Sequence, residues 1–171
     1  WTKTGFFGQS AQMEKARPRA PVFALLALPE STPLALHGLF EVFRSVGRTW
    51  AELTGEEHSV ARIEPVIVAK QVTPIDTTVG IQVVPQAPLG YADVVIVPDV
   101  AVSAGTDPRG RWPVESAWIR ERYEAGAMVC SVCTGSLLLA EAGLLDGEIA
   151  TTHWAACDLF TADDPQGDRM P

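Results

Sequence analysis

The stretch Gly126-Ala127-Met128-Val129-Cys130-Ser131-Val132-Cys133-Thr134-Gly135-Ser136 constrains this chain more than any other. A short apolar run stops at Cys133, and a turn of small residues feeds an apolar helix beginning Leu137-Leu138-Leu139-Ala140. An α/β protein builds a nucleophile elbow in this way, a tight strand-to-helix turn lifting one side chain above the end of the sheet. Bulky neighbours would clash in such a turn, and Thr134, Gly135 and Ser136 are small. The first N–H groups of the new helix lie beside the sulfur, where they favour a thiolate.

The flanking sequence supplies a matching frame. Pro21 to Leu28 and Asp93 to Pro98 are continuous apolar runs, as expected of strands buried on both faces. Arg62 to Ala69 reads as a further strand, Gln71 to Pro85 as a hairpin-like excursion with Val83 and Val84 inward, and Glu148 to Thr152 as a short strand after the elbow helix. Leu36, Leu39, Phe40, Phe43 and Val46 recur at helical intervals over Leu34 to Val46, with Gly47 as a stop. Trp118, Ile119 and Arg122 do the same over Val114 to Glu124, and His153 to Phe160 begins a last helix. Strands alternating with helices predict an α/β fold, a mostly parallel sheet covered on both sides. Residues 1–20 lack periodicity and read as a tail. Its first residue is not Met, which leaves open a natural start near Met13 or an added leader. Residues 21–171 read as one domain.

Composition excludes several functions. A net charge of -8 makes this stretch a poor partner for phosphate backbones. No apolar run is long enough to span a bilayer, and the front lacks the apolar centre of a signal peptide. An odd count of three cysteines does not make a secreted disulfide framework, and a reducing cytoplasm is the expected compartment.

Cys133 and His153 lie 20 residues apart, a helix plus a strand, which in a parallel α/β unit returns the chain to the same edge of the sheet. Two readings follow: a thiolate nucleophile with His153 as base, or a small buried thiol and a structural histidine. Cys130 and Cys133 have the Cys-x-x-Cys spacing, but residues three apart on a strand face opposite ways and no second ligand pair exists, so neither a metal nor a cofactor is expected. Cys157 reads as a helix core residue and His37 as a helix-surface histidine, with replacement of a missing acid as its alternative. Asp107, Arg109 and Arg111 read as a solvated loop or, alternatively, as a gate to the pocket. Trp112 and Trp118 suit packing or a subunit contact.

Three segments carry a family resemblance: Ser131-Val132-Cys133-Thr134-Gly135, Leu139-Ala140-Glu141-Ala142-Gly143-Leu144-Leu145-Asp146-Gly147 and Ala150-Thr151-Thr152-His153-Trp154. They resemble the ThiJ/PfpI superfamily, which is class I glutamine amidotransferase-like, and above all its branch found as the N-terminal domain of AraC-type transcriptional regulators. Weaker support comes from Leu39 to Phe43 and Asp93 to Pro98. The resemblance implies a flavodoxin-like sandwich, a further strand and closing helix beyond Pro171, and a homodimer. In a complete regulator it also implies a C-terminal helix-turn-helix module that contacts DNA.

The resemblance places the family nucleophile and histidine at Cys133 and His153, and a small-molecule pocket among Cys133, Thr134, His153, Trp154 and Asp99. Two substitutions separate this chain from enzymatic relatives such as isocyanide hydratases. Ala35 stands where they carry an acid six residues before the position of Glu41. Asp99 stands where they carry a glycine whose N–H helps form an oxyanion hole. The resemblance therefore implies a small-molecule-sensing domain that has lost its chemistry, with a stand-alone cysteine-dependent hydrolase or hydratase as the alternative.

Overall fold

The computed structural model describes residues 19–55, 62–103 and 107–157. At its centre is a five-stranded, wholly parallel sheet. Strands β1 (Val22–Leu26), β2 (Glu64–Ala69), β5 (Ala87–Pro88), β6 (Val94–Val97) and β7 (Met128–Ser131) stand in the order β5-β2-β1-β6-β7. Strands β3 (Ile75–Asp76) and β4 (Gln82–Val83) form a separate antiparallel hairpin. The helices are α1 (Pro33–Ser45), α2 (Thr49–Thr54), α3 (Pro113–Glu124) and α4 (Ser136–Glu141).

The apolar runs of β1 and β6 are continuous because each strand feeds two cores. Ala24, Leu26, Leu28, Val95 and Val97 pack with Trp118, Ile119 and Leu138 from α3 and α4. Their alternating neighbours Leu25, Ala27 and Ile96 pack with Leu36, Phe40 and Phe43 of α1. This is the flavodoxin-like α/β sandwich that the sequence predicts. From β1 the chain runs outward through β2 to β5, whereas from β6 it runs to β7 on the other side. Ligands of such sheets bind where the order reverses, in the crevice beyond the carboxyl ends of the strands. Here that crevice lies beyond β1 and β6, one strand from the elbow.

Three expectations need correction. Of the two valines expected inward, Val83 is buried but Val84 is 58% exposed, since adjacent strand residues face opposite ways. The segment Glu148 to Thr152 forms no strand: among the described residues β7 pairs only with β6, and a ladder needs a partner. The expected last helix is not among them: after the 3-10 turn Trp154–Ala156, Cys157 is helical, and residues 158–160 lie outside the described residues. Cys157 is exposed and is not a core residue. No helix among the described residues is long and apolar enough to cross a membrane.

One carboxylate pins the start of the sheet. Asp93 Oδ2 accepts from Val22 N at 2.7 Å, while Asp93 N donates to Val22 O at 3.0 Å. Tyr91 Oη and Arg19 also donate to this carboxylate. The Tyr91 hydrogen bond, then the Val22 N–H and the Arg19 charge, hold its pKa below the ordinary 3.8. A carboxyl depressed in the folded state stabilises above its unfolded pKa, and the contribution is lost as pH falls through the folded value. Denaturant titrations along a pH series should therefore show stability dropping below about pH 4. Asp93→Asn should be weaker at neutral pH and flatter over that acid limb. An unchanged acid limb in Asp93→Asn would refute the anchor.

Candidate functional site

Cys133 has φ +54°, and it is the one described residue other than glycine with positive φ. For a residue with a Cβ that conformation costs roughly 1–3 kcal/mol and persists only where its surroundings hold it. Val132 N donates to Val97 O at 2.9 Å and Gly135 N to Val132 O at 2.9 Å, closing the turn on both sides. Ser136 Oγ donates to Cys133 O at 2.9 Å. Gly135 is required by contact, not by φ: a Cβ there would lie within 3.0 Å of the carbonyl oxygens of Val97 and Pro98. The elbow thus presses its backbone directly onto the end of β6 and leaves Cys133 exposed. A buried thiol at this position, one of the two readings from spacing, is not what the fold forms.

Three loops meet there. Ser31 and Val100 form an antiparallel bridge between the segments after β1 and β6. Thr134 Oγ1 accepts from Val100 N at 2.9 Å and donates to Val100 O at 2.7 Å, so its hydroxyl is committed to the scaffold. The Asp99 carboxylate accepts from Thr32 Oγ1 at 2.6 Å. Neither Thr134 N–H nor Asp99 N–H has an acceptor among the described residues. The Asp99 carboxylate thus has a donor of its own.

Behind this rim lies a cluster that the sequence did not single out. Glu30, nearly buried, takes Arg111 on Oε1 at 2.8 Å and Trp112 Nε1 on Oε2 at 3.4 Å, while its carbonyl accepts from Ala101 N at 2.8 Å. Arg111 is itself exposed, as a solvated loop predicts, and adds an ion pair that braces the loops. Only Glu30's place just past a buried apolar run could have flagged it.

His153 is half-buried, and its Nδ1 accepts from Ala155 N at 3.2 Å, capping the following turn. In a neutral imidazole an accepting Nδ1 puts the proton on Nε2. So held, the ring presents its Nε2–H as a donor while Nδ1 caps the turn. No hydrogen bond joins it to Cys133. Trp154 is 80% exposed, its ring centroid 5.3 Å from that of His153.

The remaining candidates stand apart from this cluster. His37 is exposed, and its Nδ1–H donates to Pro33 O at 2.9 Å, so it is tied within its own helix turn. Asp107 and Arg109 pair with each other on the surface. The Arg109 side chain and then its backbone N–H bring the Asp107 carboxyl down to about 2. The three cysteines are free, and no group of His, Cys, Asp or Glu among the described residues could hold a metal ion.

Comparison with known proteins gives the family and agrees with the fold. Residues 36–164 match the DJ-1/PfpI family. An isonitrile hydratase from Pseudomonas putida is 37% identical over 112 residues, 64% of this chain and 49% of the relative. The HTH-type transcriptional regulator CdhR from Pseudomonas aeruginosa is 46% identical over 66 residues, 38% of this chain and 20% of the relative. The chain thus matches about half the length of one curated relative and a fifth of the other. The solved structure of an AraC family transcriptional regulator from Pseudomonas putida superposes with a TM-score of 0.59 at 16% identity, covering 90% of this chain and 77% of that one, a likeness of fold.

Two substitutions test how the elbow is held. Gly135→Ala must part the elbow from β6 and should destabilise the protein by about 1–3 kcal/mol in urea titrations. Cys133→Gly should exceed Cys133→Ala in stability by on the order of 1 kcal/mol, because glycine adopts the left-handed conformation freely. Equal stability of these two Cys133 variants would mean the turn is unstrained.

Proposed function

Since the chain belongs to the DJ-1/PfpI family, we propose that it is the small-molecule-sensing, amidase-like domain of an AraC-type transcriptional regulator, binding its effector at the elbow without turning it over. The observation that carries this reading is the state of the proton-transfer groups around an intact elbow. Ala35 occupies the position of the acid, and the cap at Ala155 N leaves His153 with its proton on Nε2. A nucleophile without a base nearby gains little from being well placed. The exposed sulfur, the unaccepted N–H groups of Thr134 and Asp99, the imidazole and the Trp154 face make a binding surface for a small polar metabolite. The match to an HTH-type transcriptional regulator supports the regulatory setting.

On this reading residues 21–171 belong to the sensing domain, and operator DNA is contacted by a C-terminal helix-turn-helix module. The protein then works in the cytoplasm as a homodimer, without metal or cofactor. The net charge of -8 fits a domain that leaves DNA contact to another part of the protein.

A bound effector stabilises the folded state by mass action, about 2.7 kcal/mol at a hundredfold excess over its dissociation constant. A thermal-shift screen of metabolites against the full protein should find a stabiliser. Its shift should shrink in Cys133→Ala and His153→Ala, and mass spectrometry should recover the compound unaltered. A stabiliser insensitive to both substitutions would remove the elbow as the binding site.

The 37% identity to an isonitrile hydratase favours a second reading, a stand-alone cysteine-dependent hydratase or hydrolase. Hydration of an isonitrile by the natural protein, abolished by Cys133→Ser, would replace the sensor with that enzyme. If the sensor reading holds, activity should be absent and should rise only when the acid and the glycine are restored together, in Ala35→Asp with Asp99→Gly.

A further inference from the structure

Residues 149–153 carry His153 to the elbow, yet they belong to no sheet ladder. Among the described residues, only one hydrogen bond ties them to the sheet or its helices: Ser136 Oγ lies 2.8 Å from Thr152 Oγ1. The same Ser136 oxygen lies 2.9 Å from Cys133 O. A serine hydroxyl has a single proton, and a carbonyl only accepts. The two contacts therefore have one consistent direction: Thr152 donates to Ser136, and Ser136 donates to Cys133. Ser136 is 3% exposed, so water does not readily replace either bond.

The geometry points to Ser136 and Thr152 as positioning residues, a two-hydroxyl latch that sets His153 against Cys133 in place of the missing strand pairing. Thr152 is the residue directly before His153, and Ser136 begins the helix that leaves the elbow. One end of the latch holds the carbonyl of the strained residue. The other fixes the backbone from which the imidazole projects. Neither hydroxyl needs to touch a ligand. This assignment rests on the reading of Cys133 and His153 as one site, and the test separates the two.

Two measurements on the full protein are needed. Hydrogen exchange of the peptide spanning residues 153–157 reads the latch itself. Alkylation by iodoacetamide, resolved by mass spectrometry as the Cys133 to Cys130 ratio, reads its effect on the site, since both thiols are free and exposed. Thr152→Val keeps shape and removes the hydroxyl, and Thr152→Ser keeps the hydroxyl. Thr152→Val should speed exchange roughly five- to tenfold, as for one lost buried hydrogen bond, whereas Thr152→Ser should stay near the natural protein. The ratio should move in Thr152→Val as it does in His153→Ala, and Thr152→Val should add nothing in a His153→Ala background. Unchanged exchange in Thr152→Val, or an equal shift of the ratio with and without His153, would overturn the latch. Faster exchange with a ratio indifferent to His153→Ala would leave the latch standing and remove the Cys133–His153 site instead.

Discussion

The contact between Gly135 and the end of β6 is the constraint on which the site depends. With no Cβ at Gly135, the elbow backbone settles against the Val97 and Pro98 carbonyls. That approach brings Thr134 within reach of both polar groups of Val100, and Val100 is bridged to Ser31 after β1. Three loops from different strands are thereby locked together at the point where the strand order reverses. The strain at Cys133 is tolerated because these contacts over-determine the turn.

Around the rim, several polar side chains have partners. Glu30 is held by Arg111 and Trp112, Asp99 by Thr32, and Ser136 by Cys133 and Thr152. Removing one member of such a network leaves its partner buried and unsatisfied, which costs more than the bond contributes. The rim is therefore held at several points, whereas among the described residues one hydrogen bond ties the segment bearing His153 and Trp154 to the sheet or its helices. The proposed sensing role needs such a difference, since a ligand can bias only an element that has more than one arrangement.

The proposed separation of binding from turnover rests on the same arrangement. The elbow needs only small residues and a close approach to form, and it keeps them. Chemistry needs in addition a carboxylate and an imidazole with a free lone pair. On the proposed reading Ala35 leaves out the first, and the Ala155 N–H engages the lone pair on His153 Nδ1. Both would affect proton transfer and leave in place the exposed sulfur and the Thr134 and Asp99 N–H groups, which have no acceptor among the described residues.

Much of the fold was legible in the chain because its signals are local or periodic. Two-sided burial writes β1 and β6 as continuous apolar runs, helical spacing marks α1 and α3, and a run of small residues marks the elbow. The expected strand at Glu148 to Thr152 failed because a strand exists only with a partner, and no run of five residues states whether one is present. Val84 failed because hydrophobicity does not say which of two adjacent valines faces the core. The roles of Glu30, Ser136 and Thr152 were illegible for a related reason: each depends on a partner 81, 16 or more residues distant, as in Glu30 with Arg111 and Ser136 with Thr152. By itself the sequence determined the α/β architecture, the elbow and the candidate pair, since these follow from residue type and spacing. Only the tertiary structure decided that Thr134 faces the scaffold, that His153 Nδ1 caps the following turn, and that the Ser136 and Thr152 hydroxyls meet, because a hydrogen-bond partner is set by proximity in space and not by position along the chain.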